Sequence, residues 1–182
     1  PAAGTFPDGE ASKTYTSVDD GVVFDALQVT GSAEGTRYTV AEIAPATGYE
    51  ALPAFDVLVF DDGTVKLADD APEAVRAVFS TEQDSDGVAV LSVSDAPIEA
   101  QIAKVSTSGD ALAGATFAVT GLFADGHDTR AVTVDDNGRA PLENLVAGQT
   151  YTVRETVAPE GYDPIEDEWS FTVMLDGTLS GE

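Results

Sequence analysis

A twelve-residue stretch occurs twice. Tyr38-Thr-Val-Ala-Glu-Ile-Ala-Pro-Ala-Thr-Gly-Tyr49 returns as Tyr151-Thr-Val-Arg-Glu-Thr-Val-Ala-Pro-Glu-Gly-Tyr162, and Asp62-Gly-Thr64 returns as Asp176-Gly-Thr178, at offsets of 113 and 114 residues. Looser echoes lie upstream: Ala3-Gly-Thr-Phe6 resembles Ala113-Gly-Ala-Thr-Phe117, and Asp20-Gly21 before Phe24 and Leu27 resembles Asn137-Gly138 before Leu142 and Leu145. Self-similarity at this spacing in a 182-residue chain predicts two copies of one small domain. The join is expected near Asp95-Ala-Pro-Ile98, giving domains 1–97 and 98–182, because Pro interrupts a ladder and a new alternating pattern starts there.

The pattern inside each copy is β. Short alternating runs at 116–119, 131–134, 151–157 and 169–175 are separated by turn signals at 124–126, 136–138, 147–148 and 159–161. One helix is predicted over 70–80, with Asp70 as N-cap, Pro72 in the first turn, and Val75, Val78 and Phe79 on one face. The fold class expected is all-β, tandem Ig-like or prealbumin-like sandwiches with one short helical insertion in the first.

Composition narrows the chemistry. Eight Lys+Arg against 33 Asp+Glu leave a net charge of −25, which repels nucleic acid and anionic membranes. With no Cys and one His, thiol nucleophiles, disulfides and Cys- or His-rich metal sites lack their raw material, so no cofactor is expected. No apolar run reaches about 18 residues, so membrane insertion is not expected. The opening at Pro1 has no charged stretch leading into an apolar one, and the expectation is a mature or excised ectodomain.

Alternate residues of a strand share a face. Tyr151, Val153, Glu155 and Val157 therefore point together, as do Ile98, Ala100, Ile102 and Lys104. In the first copy Tyr38, Val40, Glu42 and Ala44 repeat the pattern, and Ala89, Leu91 and Val93 carry Asp95 onto their side. Charges on apolar faces are costly unless they neutralise, pair or react.

At these residues the chain resembles the CnaB domains, the B-type repeats of Gram-positive surface adhesins and pilins. Ile102-Ala-Lys-Val105 resembles the lysine-bearing first strand, Ala111-Leu-Ala-Gly-Ala-Thr-Phe117 the next strand, Asp136-Asn-Gly138 with Leu142, Leu145 and Gly148 the central hairpin, and the duplicated stretch the motif called the E-box. The resemblance implies an intramolecular isopeptide bond between a first-strand Lys and a last-strand Asn or Asp, promoted by the E-box Glu. Carried over, Lys104 is the nucleophile and Glu155 the promoter in the second copy, and Glu42 the promoter and Asp95 the electrophile in the first. The second copy stops before the strand that would bring its Asn or Asp, and the first begins after the lysine strand; Lys13 and Lys66 do not match that position. Strand exchange between chains, joining Lys104 of one to Asp95 of another, is one of three readings left open, beside a fragment of a longer protein and loss of the bond.

The function implied is a stalk or spacer of a Gram-positive cell-surface adhesin or pilus-like protein, extracellular and wall-anchored through other segments, contacting neighbouring domains. It is not an enzyme beyond single-turnover bond formation. The alternative is a module binding host extracellular matrix, glycoprotein or glycan through loops 30–37 or 69–86. Asp84-Ser-Asp-Gly87, Asp135-Asp-Asn-Gly138 and His127-Asp128 are read as turns and solvated loop rather than metal or relay sites, and Tyr15, Phe24, Trp169 and Phe171 as core rather than a sugar platform.

Overall fold

The computed structural model describes residues 1–18, 22–24 and 27–181; the expected turn at Asp20-Gly21 lies outside them. The chain divides into two compact units, Pro1–Glu42 with Leu52–Ser94, and Ile43–Ala51 with Asp95–Glu182. The segment Ile43–Ala51, read in the sequence as part of the first copy, is thus grouped with the second unit. The chain is all-β with one short helix among the described residues, as the alternation predicted.

In the first unit β1 (Ala2–Ala3), β2 (Thr36–Val40), β3 (Phe55–Val59) and β4 (Val65–Leu67) form a sheet in that order. α1 (Glu73–Val78) follows, then the hairpin of β5 (Ser80–Gln83) and β6 (Ala89–Ser92). Alternation in β3 buries Phe55, Val57 and Val59, and Tyr38, Ala71 and Val75 complete the cluster. The helix is shorter than the 70–80 predicted, because Pro72 stands at its N-cap and Ser80 already belongs to β5. Asp70 does not cap it. Its carboxylate accepts hydrogen bonds from Arg37 at 3.0 and 3.2 Å, a charge-assisted contact that removes it from the helix end.

The second unit contains β7 (Ala100–Ala103), β8 (Thr116–Thr120), β9 (Thr129–Thr133), β10 (Arg139–Leu142), β11 (Thr150–Val157), β12 (Trp169–Val173) and β13 (Leu179–Gly181). Five strands pair in the order β13-β12-β11-β8-β9, and β10 pairs with β7 in a second sheet. One cluster is fed from both: Phe117, Val119, Tyr151, Val153 and Val173 from the large sheet, Ala140 and Leu142 from the small one. Each such Phe or Leu stabilises the fold by roughly 1.5–3 kcal/mol relative to exposure, so this shared interior is what holds the layers together.

The duplicated segment keeps its geometry. Tyr38 faces Val57 and Val40 faces Phe55 across β2 and β3, as Tyr151 faces Phe171 and Val153 faces Trp169 across β11 and β12. Val59 faces Val65, as Val173 faces Leu179. Upstream the echo fades. β1 is a two-residue strand parallel to β2, whereas β8 is a five-residue strand antiparallel to β11.

Candidate lysine–glutamate site

β7 delivers Lys104. Ile98 is buried, Ala100 and Ile102 pack against the core, and Lys104 continues their face with its side chain 11% exposed. The backbone is pinned on both sides: Lys104 N–H donates to the Gly138 carbonyl at 2.8 Å, and its own carbonyl accepts from Leu112 N–H at 3.0 Å. That close approach requires glycine at 138. Its φ is +70°, and a Cβ there would lie 2.6 Å from the Lys104 carbonyl oxygen.

β11 delivers Glu155. Tyr151, Val153 and Glu155 alternate inward, and the Glu155 carboxylate is fully shielded from solvent. Glu155 Oε2 accepts a hydrogen bond from Ile165 N–H at 2.6 Å. Oε1 lies 3.0 Å from Lys104 Nζ, in ionic contact but without hydrogen-bond alignment, and no other group serves it among the described residues. Val157 was expected inward as well and is instead exposed, because the β8–β11 register shifts between Glu155 and Val157. That bulge ends the inward row at the glutamate.

Further back along β11 the inward row is anchored by Tyr151. Tyr151 lies stacked on Phe171 with ring centroids 5.3 Å apart, and its hydroxyl donates to Leu122 O at 2.6 Å while accepting from Val146 N–H at 2.9 Å. Burial pushes the Tyr151 phenol up, so it stays protonated and remains a donor.

Two charges out of water cost several kcal/mol each by desolvation, a cost their mutual attraction repays only at close range. What the structure brings together is thus a shielded amine-bearing side chain and a shielded carboxylate in contact.

The remaining candidates lie elsewhere. Glu42 is half-buried two residues past the end of β2, and its Oε2 accepts from Leu52 N–H at 3.1 Å, the same ten-residue clasp that Glu155 makes. Lys13 pairs with Asp8 at 2.8 Å, and Lys66 lies over the Phe60 ring. Asp95 was expected to extend the face of a strand; β6 ends at Ser92, Val93 is exposed, and Asp95 sits half-buried in the connector, where burial raises its carboxyl above the ordinary range. Within one chain Asp95 and Lys104 flank opposite ends of β7. Sequence reasoning missed the partners Ile165 and Gly138. Their signals were an aliphatic residue ten positions after each E-box glutamate, Leu52 and Ile165, and the Gly of the Asn-Gly turn.

The other motifs are structural. Asp84 closes its own turn by accepting from the Asp86 and Val88 amides, and Asp135 does so from Asn137 and Arg139. No group of three or more His, Cys, Asp or Glu suited to a metal occurs among the described residues. Trp169 packs edge-on against Phe117. The segment 69–86, weighed as a binding loop, holds α1 and β5.

Residues 99–181 match the family model described as the SpaA prealbumin-like fold domain. None of the curated proteins compared with the chain matches it. Among solved structures the chain is similar to the pilus adhesin RrgA of Streptococcus pneumoniae, at 27% identity and a TM-score of 0.38, covering 46% of this chain and 10% of that one. It is also similar to a C-terminal fragment of the pilus adhesin SpaC of Lactobacillus rhamnosus GG, at 21% identity, TM-score 0.40, covering 85% and 67% of the two chains. A third likeness is to the pilus backbone RrgB of Streptococcus pneumoniae, at 13% identity, TM-score 0.35, covering 79% and 58%. The chain thus spans a tenth of the length of the pneumococcal adhesin. With the family match, the two-layer second unit is a prealbumin-like β-sandwich.

Proposed function

We propose that this chain supplies structural modules of a Gram-positive cell-surface fibre, adhesin or pilus, of the CnaB type, working as stalk rather than as catalyst. The observation that carries the reading is the shielded contact of Lys104 Nζ with Glu155 Oε1 at 3.0 Å. The match of residues 99–181 to the SpaA prealbumin-like model supports it.

In this reading Lys104 is the nucleophile of an isopeptide bond and Glu155 its promoter. Glu155 takes the proton of the Lys104 ammonium. The amine attacks the carbonyl carbon of an aspartic acid side chain, the C–N bond forms, and the hydroxyl leaves as water with a proton relayed through Glu155. The product is an amide and one water, and the reaction runs once. Glu42 holds the corresponding position in the first unit, and Asp95 is the electrophile offered to Lys104 of another chain. β7 pairs only with β10 among the described residues, so its other edge can accept a strand. A covalent tie at Lys104 means that pulling across the joined chains loads a bond instead of a ladder of hydrogen bonds.

Intact-mass spectrometry of concentrated protein, followed by peptide mapping, tests this. The expected product is a crosslinked species lighter than its components by one water per bond, with Lys104 in the branched peptide, absent in Glu155→Ala and Lys104→Arg. Unmodified monomer alone, with Lys104 open to tryptic cleavage, would overturn it.

A further inference from the structure

The segment Ile43–Ala51 shows how a loop that follows an E-box glutamate is used. A turn closed by Tyr49 N–H to Ala46 O at 3.0 Å sets up a single antiparallel bridge between Tyr49 and Pro97. Two backbone bonds make it: Glu50 N–H to Ala96 O at 2.9 Å, and Ile98 N–H to Gly48 O at 3.0 Å. Pro97 occupies the non-hydrogen-bonded place of the pair, where its missing N–H costs nothing and its ring holds the preceding residue extended. A third bond runs from Ala51 N–H to Leu175 O at 2.7 Å.

The second copy builds the same loop. Tyr162 N–H closes the turn on Pro159 O at 3.1 Å, Gly161 has φ +81° where Gly48 has +92°, and Glu155 clasps Ile165 as Glu42 clasps Leu52. Here the bridging groups are idle. Among the described residues neither the Gly161 carbonyl nor the Asp163 N–H has a hydrogen-bond partner, and Tyr162 between them is 49% exposed. Pro164 stands where Ala51 donates, so this loop offers two of the three bonds.

We propose that loop 156–164 is a docking bracket for the lead-in segment of a further β-sandwich module joined downstream in the same polypeptide, and that it recognises an extended Ala-Pro-Ile type of sequence by a bridge at Tyr162. A second copy of this chain is a poor occupant, because its own lead-in Ala96-Pro97-Ile98 is already bonded to its own Gly48 and Glu50. The inference stands apart from the Lys104 chemistry and needs no isopeptide bond.

The test is amide hydrogen exchange at Asp163 by NMR. The chain is compared with one extended after Gly181 by a repeat of residues 69–181, which restores the sequence interval between Tyr49 and Pro97. Docking is expected to slow Asp163 exchange by about tenfold or more. A second extension, a Gly/Ser linker of equal length ending in Ser-Asp-Ala-Pro-Ile-Glu-Ala, needs no folding and is expected to shift the Gly161 to Asp163 resonances. Two results overturn the proposal: Asp163 exchanging at the parent rate in both extensions while the appended sheet is protected, or Asp163 of the parent chain acquiring protection that rises with its concentration, which would make a second copy the occupant.

Discussion

Glu42 and Glu155 share a sequence context, a strand register and a backbone partner ten residues on, yet they end at different depths. Glu155 lies inside β11, under a second sheet whose strand β7 leads directly to Lys104. Glu42 lies just beyond β2, in a unit whose other strand pair is the hairpin β5–β6. The clasp is thus a property of the repeated segment, and the shielded contact with Lys104 is a property of what the second unit lays over β11.

Breaking the pair separates the two most sharply. Glu155→Ala strands a buried ammonium and is expected to cost about 3–5 kcal/mol, whereas Glu42→Ala loses a hydrogen bond to a charged acceptor and costs about 1.5–3 kcal/mol. Urea unfolding followed by fluorescence of Trp169, the chain's one tryptophan, reads the second unit, and exchange of the Val57 amide reads the first. Equal losses at the two positions would erase the distinction. Gly138→Ala comes next, at about 2–3 kcal/mol, since it adds strain at positive φ to a clash with the Lys104 carbonyl; the same fluorescence measurement applies, and a neutral result would mean that strand end is not held as described.

The tyrosines that open the repeat give a finer contrast. Tyr151→Phe leaves both Leu122 O and Val146 N–H unmet and is expected to cost about 1–3 kcal/mol. Tyr38 has one proton for two carbonyls, Thr5 O and Gln28 O, each at 2.7 Å, so Tyr38→Phe costs about half as much. The smallest effect lies at Asp95. Burial raises its folded carboxyl above its unfolded value, so the folded state binds the proton more tightly and this residue opposes folding once pH rises through the raised value. Asp95→Asn should therefore be mildly stabilising at neutral pH and neutral in acid, a difference visible in paired thermal melts at pH 7 and pH 3.

Much of this was legible in the residues. The two-residue rhythm placed Tyr151, Val153 and Glu155 inward and put Ile102 and Lys104 on a common face, because both rows lie within or directly against regular strands. It misplaced Val157, where a bulge resets the register, and it carried Asp95 beyond the end of β6. The N-cap preference of Asp70 is overridden by its contact with Arg37, 33 residues back, and the expected helix end at Ser80 is taken by the β5–β6 hairpin. The pairing of Lys104 with Glu155 joins strands 51 residues apart; alternation supplied each side chain's direction, and only the stacking of two sheets supplied their meeting.

A double-mutant cycle at Lys104 and Glu155, using Lys104→Met, Glu155→Gln and the double variant, measures that meeting most directly through Trp169-monitored urea unfolding. A coupling of about 2 kcal/mol or more is expected for a shielded pair in contact. A coupling under about 0.5 kcal/mol, the range of a solvated surface pair, would contradict it.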